Sequence, residues 1–356
     1  MTADREVEVR ALLVLDQIPG VGLKTLAALV ARFGSGRAAL AAPDRAFSVV
    51  AGQRAALARS DAEMRDRVAA GLNDAARLNA PAVTWSDAEY PSILLNLADP
   101  PPVLFLRGRA ELLSTPCITS VGARKATARA RDFARRLASA LARSGYTIVS
   151  GMALGIDGCA HLGVLDAGGG TIAVLGRGSD RAYPASHERV FRDILAVGLV
   201  VSEFLPGRPA LPHHFPRRNR VPAALGQAVV VVEASRRSGS LITVEHALDL
   251  GVDVYAVPGP VEQPACEGSN ALLVDGARPL VSVERVPRRT WCRLVRRKRA
   301  APTGRCRGSP SGQPRSRPRT CGGAGRPGGV GGVRGFGPAR RTRGERMGRA
   351  TARAAV

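Results

Sequence analysis

No run of about eighteen apolar residues occurs anywhere in the 356-residue chain, and its start, MTADREVEVR, lacks the basic-then-apolar layout of an export signal. Neither membrane insertion nor secretion is expected, and the cytoplasm is the default compartment. The six cysteines include no Cys-x-x-Cys pair, and no ligand-like histidine spacing accompanies them. That argues against a disulfide framework and against a structural zinc site, so Cys117, Cys159 and Cys266 are expected as small core residues. A Walker pattern of Gly, four residues and Gly-Lys-Ser/Thr is missing, and the Gly176-Arg177-Gly178 turn has Arg181 where a dinucleotide fingerprint needs its third glycine. P-loop ATPase chemistry and nicotinamide binding are both disfavoured, and no cofactor or metal is expected.

Acidic residues are nearly missing from one end of the chain. Residues 285–356 hold 21 of the 52 Lys and Arg but only Glu345 of the 29 Asp and Glu. The net charge of +23 points towards a polyanionic partner, yet almost all of it sits in this tail and the remainder is close to neutral. The tail has few aliphatic residues and no sustained period, so it cannot bury enough surface to offset its ordering entropy and is expected to be disordered. Its unpatterned Arg, Gly and Pro excess also looks like a frameshift product of a GC-rich reading frame, and no function is assigned to it. A case for nucleic acid must therefore come from local groupings in residues 1–284.

What is present there is 45% hydrophobic content across the chain, enough for a buried core. Residues 8–36 read as two short helices around Ile18-Pro19-Gly20-Val21-Gly22. That turn suits a phosphate at the second helix's start, as in helix-hairpin-helix modules, or a plain αα-hairpin. Residues 37–80 are Ala- and Arg-rich and helical by pattern, making residues 1–80 a small N-terminal all-α domain. From about residue 100, short apolar runs (VLFL, ITSV, TIV, TIAVL, LVVSEF, AVVVVEA, VYAVPG) alternate with helical patterns. Continuously apolar strands separated by helices indicate a mostly parallel sheet covered on both faces, a doubly wound α/β architecture over residues 81–284. Ligands of such sheets bind beyond the C-terminal strand ends.

The loops at those ends are distinctive. ITSV is followed by Gly122, Ala123, Arg124, Lys125, Ala126 and Thr127, leading into an amphipathic helix, a geometry that holds a phosphate. After TIV come Ser150 and Gly151, with Asp157 entering a helix that contains His161. Asp157 is expected as an N-cap and His161 as a core or helix-surface residue. The strongest grouping is Phe215-Pro216-Arg217-Arg218-Asn219-Arg220 at the entry to a helix, VPAALGQ, after His213 and His214. Three guanidiniums and an amide beside an aromatic ring suit a single strand whose phosphates and bases are both accessible. After AVVVVEA, Arg236, Arg237, Ser238, Gly239 and Ser240 open another helix as a second anion cradle, in which Ser240 also reads as an N-cap.

Taken in order, these loops resemble the DNA-processing protein A (DprA, also called Smf) family. The matching elements are Tyr90-Pro91, DPPPVLFLRG, VGARKAT, SGMALGID with Ala160-His161, Tyr183-Pro184, Ser202-Glu203, FPRRNR, EASRRSGSLIT, AVPG, Gly268-Ser269-Asn270 and Gly276-Ala277. They cover roughly residues 85–284. The resemblance implies an extended Rossmann-like domain that binds single-stranded DNA without catalysis, forms homodimers, protects incoming DNA and loads RecA recombinase in natural transformation. It places DNA contacts at Arg124, Phe215, Arg218, Arg220 and Arg237. Ala123 stands where the family usually has Ser, Val252 where Arg is common, and Pro222 where an aliphatic is usual, tolerable if that is a helix's first turn. The small winged-helix-like domain that ends many members is replaced by the basic tail.

A nucleotide-processing hydrolase on the same sheet is the alternative, with Glu203 or Glu233 as base. No activated nucleophile or paired carboxylate set accompanies them.

Overall fold

The computed structural model describes residues 3–282, so the disorder expected for residues 285–356 lies outside the described residues. Six helices come first: α1 (Ala3–Gln17), α2 (Leu23–Phe33), α3 (Gly36–Ala41), α4 (Asp44–Ala51), α5 (Gln53–Ala58) and α6 (Ala62–Arg77). The order then becomes β1 (Ala82–Thr84), β2 (Val103–Gly108), β3 (Cys117–Val121), α7 (Ala128–Arg143), β4 (Thr147–Ser150), α8 (Ile156–Asp166), β5 (Thr171–Leu175), α9 (Glu188–Val197) and β6 (Leu199–Ser202). It closes with α10 (His214–Leu225), β7 (Ala228–Val231), α11 (Ser240–Asp249), β8 (Asp253–Ala256), α12 (Glu267–Val274) and β9 (Arg278–Pro279). No helix among the described residues is long and apolar enough to cross a membrane.

All nine strands join one sheet in the order β1-β2-β6-β5-β4-β3-β7-β8-β9. It is parallel from β6 to β9, while β2 runs antiparallel to β6 and β1 antiparallel to β2. Alternation along each strand sends Ile118, Ile148 and Val230 into one layer with α7 and α8. Val149, Ile172, Val174 and Val201 go to the opposite face, beneath Val221 and Ala224 of α10. Both faces are covered, which is why these strands read as unbroken apolar runs. From β3 the chain winds outwards through β4, β5 and β6, then returns through α10 to β7 on the other side of β3. The loops leaving β3 and β7 therefore diverge, and a crevice opens between them at the C-terminal strand ends.

The N-terminal helices build most of one buried cluster, which extends onto the sheet. Leu12, Leu15, Phe47 and Val68 share one buried cluster with Val103 and Phe105 of β2 and with Leu205, so the helical layer seals the antiparallel edge of the sheet. Residue 80 marks the change from helices to strands, and the buried cluster runs across it.

His161 is fully buried between α8 and β5, its Nδ1 2.7 Å from Thr171 Oγ1. That hydroxyl already donates to the Ile148 carbonyl, so it accepts from His161 and the imidazole is the neutral Nδ1–H tautomer. Burial, helped by the nearby His187 and Arg218, pulls its pKa down to about 3. Between the unfolded value near 6.5 and about 3, the unfolded chain binds a proton that the folded chain refuses, so stability falls as pH falls through that window. His161→Gln should remove up to about 1.4 kcal/mol per pH unit of this slope, visible as a flatter dependence of the urea midpoint on pH between about 6 and 4.

Candidate nucleic-acid interface

The crevice is a groove of about 780 Å³ bounded by the loops after β3, β4 and β7, by one face of α10 and by the start of α11. The arginine-rich stretch lies within α10, which starts at His214 and not at VPAALGQ as the sequence suggested. Helical period then divides it. Residues three and four apart share a face, so Phe215, Arg218, Asn219 and Pro222 line the groove while Arg217 and Arg220 turn away from it.

That pair, expected among the DNA contacts, lies outside the groove lining and borders the neighbouring cavity of about 580 Å³. Glu203, at the end of β6, accepts from Arg217 Nε at 2.9 Å and from Arg220 Nη1 and Nη2 at 2.9 and 2.8 Å. Arg220 also donates from Nε to the Asp99 carbonyl at 2.9 Å, and Arg217 reaches Asp16 of α1 at 3.1 Å. The side chains of Arg220 and Glu203 are each 1% exposed, so Arg220 has no surface to offer a strand. Burial pushes the Glu203 carboxyl up, but the Arg220 and Arg217 guanidiniums outweigh it and hold it below the usual carboxylate range. Asp16 stays raised by burial, which Arg217 only partly offsets. Pro222, expected in a first turn, sits inside the helix, where Arg218 loses an N–H partner for its carbonyl. The Pro222 carbonyl accepts from Thr119 Oγ1 at 2.6 Å, fastening the helix to β3.

On the groove side, Arg218 is 4% exposed and its Nη1 donates to the Val174 carbonyl. It occupies the space a side chain at position 151 would fill: a Cβ on Gly151 would collide with the Arg218 guanidinium. Burial pulls the guanidinium below its ordinary value, with Asp157 opposing, yet an arginine remains charged in a protein. Its Nε has no hydrogen-bond partner among the described residues. Asp157 is not the N-cap of α8, a position held by Gly155. Its carboxylate instead accepts from the Gly151 and Ala153 amides at 3.2 and 3.4 Å, shaping the loop around Arg218. Burial raises its pKa, and Arg218 opposes that shift.

The other expected contacts sort as clearly. Ser150 is fully buried and donates its hydroxyl to the Ser120 carbonyl at 2.7 Å, so only Gly151 of that pair lines the groove. At the first loop, Thr127 donates its N–H and hydroxyl to the Glu233 carboxylate at 2.9 and 2.6 Å. The anion that meets the start of α7 is thus a side chain of this protein. What the loop leaves for a ligand is exposed Arg124 and Lys125, together with Gly122, whose missing Cβ gives room to Ile156 and the Glu233 carbonyl. Ser238, Gly239 and Ser240 line the far wall. Gly239 is the N-cap of α11 and Ser240 its first residue. Asn219 donates to the Gly239 carbonyl at 3.1 Å, joining the two walls. Arg236 and Arg237 are exposed on this loop, outside the groove lining and without an ion-pair partner among the described residues.

Phe215 is half-buried, with the Arg124 guanidinium 5.1 Å from its ring centre and Tyr183 at 5.3 Å. Tyr183 was not among the expected contacts, although its place just beyond the β5 strand end was the signal for it. The Ile18–Gly22 turn borders a smaller cavity of about 580 Å³ that shares Pro216 and Ile242 with the groove. No grouping of three or more metal-ligating side chains occurs among the described residues.

Residues 81–290 match the family model described as DNA recombination-mediator protein A. The chain is 40% identical over 202 residues to the DNA processing protein DprA of Streptococcus pneumoniae, covering 57% of this chain and 71% of that one. It is 42% identical over 194 residues to Protein Smf of Escherichia coli, covering 54% of this chain. It spans about half the length of that protein and of Protein Smf from Synechocystis, 52% and 54%. The X-ray structure of the S. pneumoniae protein superposes with a TM-score of 0.68 at 32% identity, covering 78% of this chain and 95% of that one. DNA processing protein A from Helicobacter pylori, solved to show its mode of binding single-stranded DNA, gives 0.54 at 28% identity, covering 61% of this chain and 97% of that one.

Removing Glu203 leaves two guanidiniums without their shared carboxylate, one of them fully buried. Glu203→Ala should cost about 3–5 kcal/mol of stability in urea unfolding, with Arg220→Ala similarly harmful.

Proposed function

Since this chain belongs to the DNA recombination-mediator protein A family, we propose that its groove binds single-stranded DNA with little sequence preference and without catalysis. The observation that carries this reading is Arg218: a nearly buried, permanently charged guanidinium in the wall of a groove at the topological switch point. An anion in the groove would meet that charge in a low-dielectric setting, where electrostatic attraction is strong. Arg124 and Lys125 at the mouth supply further phosphate contacts, Gly151 makes room for Arg218, Ser238, Gly239 and Ser240 let a backbone approach closely, and aromatic rings stand beside them for the bases. Gly122 and Asn219 serve by shaping and joining the walls, and Arg237 by adding charge at the rim. The binding reading is favoured over hydrolysis because both carboxylates that a hydrolase would use, Glu203 and Glu233, are engaged in structural bonds.

As a finer role, resting on family membership, we propose a cytoplasmic homodimer that protects incoming DNA and loads RecA recombinase during natural transformation. The single-stranded DNA binding named for the H. pylori protein supports the DNA-binding part of that reading.

In fluorescence anisotropy with a labelled oligonucleotide, the full chain should bind with a log-linear salt dependence of slope about −3 or steeper, as for four or more single-strand phosphates. Arg218→Ala and Arg124→Ala should each weaken binding by about 1–3 kcal/mol, Arg124→Ala without loss of stability. Unchanged affinity in both variants would move the binding site out of the groove.

A further inference from the structure

Phosphates are common to single strands and duplexes, so Arg124, Lys125 and Arg218 by themselves give a groove no reason to prefer one over the other. The preference must come from a contact that a paired, stacked base cannot make. We infer that Tyr183 is that contact: its ring is the platform on which an unstacked base of the bound strand lies, with Phe215 as its backing. This rests on the single-strand reading of the groove.

The geometry separates the two rings. Phe215 is hemmed in by Arg124, whose guanidinium lies 5.1 Å from its centre, and by Gly176, where a Cβ would come within 3.0 Å of the ring. Tyr183 leans against it at 5.3 Å and 38°. That is already an ordinary aromatic pair distance, so a base does not enter between them without prying them apart. The ring with free surface is Tyr183, 41% exposed in the wall of the groove. Its loop is tied down: Ala182 is buried beside it, and His187 lies 3.1 Å from the Met152 carbonyl and packs against Gly158. A ring held in place loses little freedom on binding, which favours the bound state. Stacking on it requires a base with an open face and reads no hydrogen-bonding edge. The platform therefore accepts any base of a single strand and rejects duplex, whose bases stack on each other.

The test uses the full chain, measuring affinity for an oligothymidylate, for a duplex and for a strand of the same length with abasic residues. The oligothymidylate and the abasic strand carry the same phosphates, so the ratio of their affinities isolates the base-dependent part. Tyr183→Leu should lower single-strand affinity about tenfold, leave duplex and abasic binding unchanged, and abolish the fluorescence quenching of a 2-aminopurine placed in the strand. Tyr183→Phe should retain all three properties. The inference is overturned if Tyr183→Leu keeps both the strand preference and the quenching while Phe215→Leu loses them, the groove reading then surviving with Phe215 as the platform. If Tyr183→Leu and Arg218→Ala both bind like the parent, the strand does not enter the groove and both conclusions fall.

Discussion

Burial of the Glu203 carboxylate against two guanidiniums decides what this fold can present to a ligand. Glu203 ends β6 and receives Arg217 and Arg220 from α10, while Arg217 reaches on to Asp16 of α1. Taking these charges out of water is costly, and a buried ion pair often stabilises no more than apolar packing would. Its consequence here is directional. With two arginines locked to one side, the remaining face of α10 is forced towards the strand ends, and Phe215, Arg218 and Asn219 go with it. The same contacts tie α1, the end of β6 and α10 to one another.

The groove itself is a product of winding order. Placing β7 beside β3, after an excursion through β4 to β6, separates two strand-to-helix loops that a single winding direction would have left side by side. Each loop is then stiffened from within. Glu233 closes the start of α7 through Thr127, Asp157 gathers the amides of Gly151 and Ala153, and Asn219 ties α10 to the start of α11. The polar groups engaged in these ties are not open to a ligand, whereas Arg124, Lys125 and the Tyr183 ring are. A rigid frame with a few unsatisfied groups favours the bound state by avoiding ordering costs.

Much of this was legible in the chain. Unbroken apolar strands separated by amphipathic helices implied a sheet covered on both faces, and the location of strand ends pointed to the loops that line the groove, because both follow from local periodicity. The misplaced elements share a cause. α10 begins earlier than its apolar half suggested, since its first turns are polar residues paired with distant carboxylates, and Pro222 inside it looked like a first-turn proline. Ser150 resembled a cradle residue because nothing nearby in sequence reveals the Ser120 carbonyl one strand away. β1 and β9 are so short that no periodicity could mark them.

The sequence by itself determined the fold class, the family and the loops that meet at the strand ends. These depend on apolar patterning and short motifs, whose information is local. Only the tertiary structure decided which arginine of FPRRNR faces the groove and which is sealed in the core, which anion closes α7, and which aromatic ring is left open. The physical reason is that each of those outcomes is a competition for partners. The carboxylates, carbonyls and rings that compete lie far apart in the chain, and folding alone brings them within hydrogen-bonding distance.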